Sequence, residues 1–401
     1  MPLWKRNLYI AWFGSFATTA GMSLVVPFLP LYIEQLGVTR TQSVEQWAGA
    51  AFGATFLLAA VVSPLWGRLA DQKGRKLMLL RASLGMAIIM VLLGFVQNVY
   101  ELVGLRLLMG GVSGYISAAI TLVATQTPKE HSGWALGTLS TGAVGGTLLG
   151  PLIGGWLSEI IGFRHVFFVT GVFMFIAFIV TLVFVKEQFT PGKSAKLPTR
   201  DIWAMISNPR MVVAMFLTTF MLQLANMSIE PIVTIYIKQL LPDASHVALI
   251  AGIVVSASGM ANVIFAPLIG KTSDRIGPRK VLQVCLLAAA ILFIPQAYVH
   301  TPWQLMGLRF LMGISLGGLL PSINSIVKRS VPTQIAGRVF GYNQSFQYLG
   351  NIAGPTLGGQ MAAHFGFHYV FFSTSALLFI NSLWVHFSGH IKPTVKTPSH
   401  A

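Results

Sequence analysis

Residues 67–76 read GRLADQKGRK, and a related stretch, GKTSDRIGPRK, occupies residues 270–280. The first of these stretches joins two apolar runs, at 47–70 and 77–97. A run of about 20 apolar residues is long enough to cross a bilayer as an α-helix. The glycines in each stretch permit a tight turn between two such helices. The repeated loop therefore predicts a membrane protein whose two halves are built alike.

The correspondence between the halves extends well beyond these loops. Gly104-Leu105-Arg106 in the first half matches Gly307-Leu308-Arg309 in the second. Other matched pairs are Pro27 with Pro231, Tyr32 with Tyr236, Asp71 with Asp274, Gly74 with Gly277, Gly110 with Gly313, Gly150-Pro151 with Gly354-Pro355 and Gly162-Phe163 with Gly366-Phe367. Such a sustained register indicates duplication of a six-helix unit.

The apolar segments define the expected architecture. They lie near 8–33, 47–70, 77–97, 100–126, 132–158, 163–185, 210–237, 246–270, 280–299, 303–328, 335–363 and 367–388. We expect an all-α membrane protein with twelve transmembrane helices in two six-helix bundles, related by a pseudo-two-fold repeat. The expected division is residues 1–185 and 210–388 for the bundles, 186–209 for a cytoplasmic linker and 389–401 for a cytoplasmic tail.

Composition restricts the class of protein. Of the 401 residues, 54% are hydrophobic and only 9% are charged, whereas soluble domains carry about 25% charged residues. The single cysteine, Cys285, excludes an intrachain disulfide framework and a cysteine metal site. The sequence contains no Gly-x-x-x-x-Gly-Lys-Ser/Thr loop for a nucleotide. We therefore expect no metal, no cofactor and no ATP-driven transport by this chain.

The formal net charge of +16 is distributed unevenly. Nearly all of the excess Lys and Arg lies between segments on the side of the N-terminus, while the other side is slightly acidic. Because basic loops remain in the cytoplasm, both termini are predicted to be cytoplasmic in a cell membrane, inner or plasma. The basicity is then a signal of topology and does not indicate a nucleic-acid partner.

The fifth apolar segment carries a row of small residues at helical spacing: Gly142, Gly146, Gly150, Pro151 and Gly154. Glycines four residues apart form a flat groove against which another helix can pack closely. Close packing alone would explain this pattern. The Gly-Pro pair adds a site at which the helix can bend.

These motifs resemble those of the major facilitator superfamily, in particular its twelve-helix drug:proton antiporters. The resemblance rests on the repeated loop, on the glycine row, and on the Pro27–Pro30 stretch of the first segment. It implies alternating access and proton-driven export, with the glycine row as the antiporter motif. It also implies a conformational switch in the loops, formed by Gly67, Asp71, Gly74, Arg75 and Asp274.

Charged residues inside apolar segments are costly and usually functional. Arg106 is one, and the resemblance assigns it to proton coupling; the alternative is an arginine that extends to the nearby interface. Glu230 is the only acid well inside a predicted segment, and it precedes Pro231, which frees a backbone carbonyl. We predict that Glu230 carries the coupling proton. A structural pair with Arg309 is the alternative.

Polar residues at helical spacing in the seventh and eleventh segments are candidates for the substrate cavity. The full candidate set is Tyr32, Gln223, Asn226, Tyr236, Gln344, Gln347 and Asn351. Such stripes equally serve as hydrogen-bonding contacts between helices, so both interpretations stay open.

The sequence as a whole favours a proton-coupled exporter of small, largely apolar drugs or toxic compounds, acting as a monomer. Its expected partners are these substrates, protons and the lipid bilayer. A narrow exporter of a metabolite or sugar is the alternative, although a sugar site would need more buried polar groups. An enzyme would need converging catalytic groups that the segments lack, and a sensor would need an added soluble domain.

Overall fold

The computed structural model describes residues 1–187, 203, 205–206, 208–241 and 246–388. Most of the predicted linker and the whole of the predicted tail lie outside these residues. The described residues are helical, apart from short turns and the ends of the helices.

The first half contains eight α-helices in its described residues. They are α1 (Leu3–Leu24), α2 (Leu29–Gln35), α3 (Thr41–Lys73), α4 (Arg75–Leu93), α5 (Val99–Val112), α6 (Tyr115–Gln126), α7 (Ser132–Ile161) and α8 (Phe163–Phe184). The first span is broken between α1 and α2, and the fourth between α5 and α6.

The second half repeats this order with its seventh span broken. Its helices are α9 (Pro209–Met227), α10 (Val233–Leu240), α11 (Val247–Ile276), α12 (Pro278–Gln296), α13 (Pro302–Ser330), α14 (Thr333–Phe365) and α15 (Phe367–Ser388). The tenth span, α13, is continuous where its counterpart in the first half is broken.

Among the described residues, ten helices are long and apolar enough to cross a membrane, or eleven when the bent pair α1–α2, with its 52° bend, counts as one span. The all-helical, multi-span membrane fold is thus confirmed, although these criteria find fewer than the twelve spans predicted. The additional long helix is α14, with 33 residues. It is the repeat counterpart of α7, but it carries several Gln and Asn residues that lower its hydropathy.

Equivalent helices pack in equivalent ways in the two halves. In the first half α1 packs along α7, and in the second half α9 packs along α14. The main contacts between the halves are made by two helix pairs, α3 with α14 and α7 with α11. We call these two contacts the seam.

The two ends of the helices differ in chemistry. At one end the Asn7 side chain donates to the Gln126 side chain and to the Lys186 carbonyl oxygen, at 2.6 and 2.7 Å. This end also holds the basic loops at 68–76 and 271–280, and we call it the basic face. The other end of the helices holds the loop between the third and fourth spans and the loop between the ninth and tenth spans. We call it the opposite face.

Candidate functional site

The glycine row of α7 packs directly against α1. A Cβ atom added to Gly146 would lie 2.7 Å from the carbonyl oxygen of Phe16, and one added to Gly142 would lie 2.6 Å from that of Trp12. Gly154 meets the backbone of Leu24 more closely still. The groove predicted from the sequence therefore exists, and its partner is the helix that leads into the first break.

The same helix also contacts the other half. Gly155 lies against the carbonyl group of Ala248 in α11, and Gly252 lies against that of Pro151. The arrangement is repeated in α14, where Gly350 and Gly354 face α9 and Gly359 faces α3. Each Gly-Pro helix thus joins its own broken span to the seam.

On the opposite face, polar contacts hold the halves together. Lys238 pairs with Glu34 at 2.5 Å, and the Thr234 hydroxyl donates to the Pro27 carbonyl oxygen at 2.9 Å. Both contacts join α10 to the first span across the molecule, so the two outer half-helices meet.

A second closure on this face lies at the start of α11. The Glu159 carboxylate accepts a hydrogen bond from the Leu249 amide at 2.8 Å and pairs with His246 at 2.7 Å. An acid at a helix N-terminus satisfies amides that lack a partner within the helix. The structure is therefore closed on the opposite face.

The switch loop is shorter than the sequence suggests. Helix α3 continues to Lys73, so Gly67 is a helical residue, and Gly74 alone makes the turn with φ of 91°. Gly277 makes the equivalent turn with φ of 97°. Gly67 instead lines a cavity of 260 Å³ in the basic half, together with Arg75 and Tyr348. The side chains of Asp71 and Asp274 lie outside the described part of the structure.

Glu187 is a residue that the sequence did not single out. Its carboxylate accepts from the backbone amides of Arg75 and Lys76, at 2.9 and 2.7 Å. It therefore caps α4 just after the turn and ties the end of the sixth span to the switch loop. In the sequence, Glu187 is a single acid after an apolar run, and nothing distinguishes it from an ordinary charged residue of a loop.

Arg106 and Arg309 point into the protein. Arg106 is only 2% exposed, and its guanidinium lies over the ring of Phe52, 5.2 Å from the centroid. Its Nε and Nη1 atoms have no hydrogen-bond partner. This burial excludes the alternative in which Arg106 extends to the interface. Arg309 is also buried, in α13.

Glu230 lies in the break of the seventh span. Helix α9 ends at Met227 and α10 begins at Val233, which confirms that the helix opens around Glu230 and Pro231. The electrostatic partner of the Glu230 carboxylate is Arg309. The two side chains form no hydrogen bond or contact ion pair. The role of Glu230 as carrier of the coupling proton and its alternative role as a structural partner of Arg309 both stay predictions.

The candidate cavity residues separate into two groups. Gln223 approaches Gly350 on α14, which is next to Asn351 and three residues from Gln347. Asn351 is buried, and its side-chain oxygen has no hydrogen-bond partner. Asn226 is half-buried on the same stretch of α9, and Gln344 is exposed in the basic half of α14. These amides therefore lie along the contact between α9 and α14, and their role in binding substrate stays a prediction.

Tyr32 and Tyr236 do not line that space. Each hydroxyl donates to a backbone carbonyl oxygen of its own half, Tyr32 to Leu93 at 3.0 Å and Tyr236 to Gln296 at 3.0 Å. Both side chains are buried among phenylalanines of the sixth and twelfth spans. The sequence pattern alone did not reveal these hydrogen bonds, because the acceptors are backbone atoms.

Comparison with known proteins decides the family. The profile of the Major Facilitator Superfamily matches residues 11–241 and again residues 215–401. The chain belongs to the major facilitator superfamily. The protein is thus a multi-pass membrane transporter and not an enzyme.

Among curated superfamily members, the chain is similar to Multidrug resistance protein MdtG of Salmonella typhimurium, with 49% identity over 382 residues and 95% of each chain covered. It is also 49% identical to the protein of that name from Proteus mirabilis over 387 residues, 96% of each chain. These matches span both halves of the superfamily fold.

Solved structures of superfamily members show the same fold at low sequence identity. A bacterial homologue of the human lysosomal transporter Spinster, inward-facing and occupied, has a TM-score of 0.81 and 14% identity, with 97% of both chains covered. The nucleoside transporter NupG has a TM-score of 0.77 and 16% identity, covering 96% of this chain and 100% of its own.

A modest prediction follows from the tyrosine contacts. We expect Tyr32→Phe to leave the range of transported substrates unchanged and to lower stability by about 0.5–1.5 kcal/mol, because one buried hydrogen bond is lost. Tyr236→Phe should behave likewise. Thermal unfolding in detergent measures stability, and a susceptibility panel measures the range of substrates. A selective change in the range of substrates would show that these tyrosines contact substrate after all.

Proposed function

We propose that this chain is a proton-coupled exporter of small, largely apolar drugs, with both termini in the cytoplasm. The proposal rests chiefly on Glu230, a carboxyl in the break of a span that faces a buried arginine. An acid in this position can bind a proton or a cationic partner, and the two forms can favour different conformations. The relatives at 49% identity are named multidrug resistance proteins, which supports the substrate class.

An apolar cavity at the seam supports the same substrate class. Its volume is 360 Å³, and its lining includes Leu152 from α7 with Met260, Met306 and Phe310 from α11 and α13. Pockets for drug-sized ligands usually measure about 300–1,000 Å³. Methionine side chains adapt to ligands of different shape, which suits an exporter of varied compounds better than a narrow metabolite exporter.

The experiment that tests this function is transport in everted membrane vesicles. A fluorescent apolar cation should accumulate when a pH gradient, acidic inside, is imposed, and an uncoupler should abolish its accumulation. Accumulation that persists with the uncoupler would argue against proton coupling. Transport of a single metabolite, with no response to several apolar dyes, would favour the narrow exporter.

The proposed orientation has a separate test. Reporter fusions after Lys193 and at the C-terminus should behave as cytoplasmic, because the basic face is retained inside. A fusion after Val38, in the turn before α3, should behave as external. The opposite pattern, with an external C-terminus, would contradict the proposed topology.

A further inference from the structure

Glu45 is a buried acid that the transport scheme above does not use. Its side chain lies near the start of α3 and is 3% exposed. Its Oε2 atom has no hydrogen-bond partner. In the sequence it precedes the second apolar run, which begins only at residue 47, so hydropathy alone places it in a loop.

Glu45 belongs to the face of α3 that forms the seam. Gly49 and Gly53 follow at intervals of four residues, so all three lie along one side of the helix. The carbonyl oxygen of Glu45 touches Gly359, and Gly49 touches the carbonyl group of Pro355. Closure of the two halves on the opposite face therefore contributes to the burial of this carboxyl group.

The charged groups around Glu45 are engaged elsewhere or exposed. On α14, the titratable residue closest in sequence to Gly359 is His364, an exposed residue whose Nδ1 lies 2.9 Å from the Gln360 carbonyl oxygen. On α2, Glu34 is paired with Lys238. Within α3's own N-terminal turn, Arg40 is exposed.

The remaining neighbours of α3 do not neutralise Glu45 either. On α5, Glu101 accepts hydrogen bonds from Gln97 and Asn98 in its own turn. Arg106 lies over Phe52, about two helical turns towards the basic face. The half of α4 near this face carries no charged residue. Within the described structure, Glu45 has neither an ion pair nor a hydrogen bond to its Oε2 atom.

Burial without a partner disfavours a carboxylate far more than a neutral carboxyl group. Water can reach Glu45 when the seam opens, because the apolar span Thr41–Ala70 has 30 residues, about 45 Å of helix. The hydrocarbon core is only about 30 Å thick, so the first turns of α3 lie at the level of the headgroups. The ionised form is then hydrated in the open state alone.

We propose that Glu45 is a proton-operated latch on the opposite face: the halves close over its neutral form, and separation of the halves allows it to ionise. The proton returns to the side from which it came, so the latch is not part of the transported charge. This inference goes beyond the proposed function and needs only that access alternates, independently of the role of Glu230.

The direction of the pH effect follows from proton linkage. Because the closed state binds the proton more tightly, closure is favoured at low pH and is lost as the pH rises. One linked proton changes the ratio of closed to open molecules by at most about tenfold per pH unit.

The test measures the opening of this face without requiring transport. Spin labels on cysteines introduced at Phe95 and Tyr298, exposed on the two halves, report the separation of the halves in lipid nanodiscs. All samples carry Glu230→Gln, to remove that acid, and Cys285→Ala. We expect the long-distance fraction to rise from mildly acidic to mildly alkaline pH, and Glu45→Gln to stay closed across the range.

The matched control is Gln46→Ala, which removes the 3.2 Å hydrogen bond to Gln360 across the seam without removing an acid. It should shift the closed fraction and keep the pH dependence. Glu45→Ala, which also cannot ionise, should lose the pH dependence even if packing changes. An equal pH response with and without Glu45, or no response in either protein, would overturn the proposal.

Discussion

Replacement of Glu230 by glutamine should abolish proton-driven uptake of substrate into everted vesicles. Glutamine keeps the size and the hydrogen-bonding capacity of the neutral acid but cannot release a proton. The variant should insert normally, because the substitution lies in the break between α9 and α10 and removes no apolar residue from either helix. Substrate binding should persist, and its dependence on pH should be lost.

The expected loss is large because one proton supplies much of the driving force. A charge that crosses a potential of about 150 mV provides about 3.5 kcal/mol, which sustains a gradient of about 300-fold for a neutral substrate. For a monovalent cation exchanged for one proton, no net charge moves and only the pH gradient acts. Without the exchangeable proton, both driving forces are lost.

Glu101→Gln is the matched control, because Glu101 is an exposed acid on the opposite face that caps its own helix. It should retain full proton-driven uptake. If Glu230→Gln transports with an unchanged pH dependence, the coupling acid lies elsewhere, and Glu34 and Arg106 become the next candidates. A loss of thermal stability in Glu230→Gln, with transport kept, would support a purely structural pair with Arg309.

Gly146→Leu should block transport while the protein still reaches the membrane. The first atom of the new side chain would already lie 2.7 Å from the Phe16 carbonyl oxygen, so α1 and α7 must separate. Overpacking of this kind costs about 1–3 kcal/mol. Gly150→Leu should act in the same way, because Gly150 meets the Ser23 hydroxyl and the Ala20 carbonyl oxygen.

Gly137→Leu provides the control on the same helix, since a Cβ atom there meets nothing within 4 Å. The measurements are efflux and the amount of protein in the membrane. Normal efflux from both Gly146→Leu and Gly150→Leu would show that the glycine row tolerates larger residues and is not required for transport. A defect in Gly137→Leu as large as theirs would point to a general intolerance of α7.

The helices were predictable because each apolar run is long and the repeat supplies a second copy of every boundary. The predicted helix boundaries were wrong where a helix begins with polar residues. Helix α3 begins at Thr41 and buries Glu45, although hydropathy places the start of this span at residue 47. A polar first turn at the headgroup level cannot be separated from a loop by composition alone.

The chemistry of the site was predictable only in part. Intrahelical spacing correctly predicted the groove of α7, and Pro231 correctly predicted the opening of the helix at Glu230. Contacts between distant segments could not be predicted, such as the cap that Glu187 gives to α4 or the hydrogen bond from Tyr32 to Leu93. Such contacts depend on how the helices of each bundle pack against one another, and a single sequence does not specify that packing directly.

The paired tyrosine contacts have a mechanical consequence. Because Tyr32 ties α2 to the third span and Tyr236 ties α10 to the ninth, we expect each outer half-helix to move together with its own half. Rocking of the halves then carries the tips of α2 and α10 with it. The distance between two fluorophores placed near Glu34 and Lys238 would therefore report the rocking angle of the halves in single molecules during turnover.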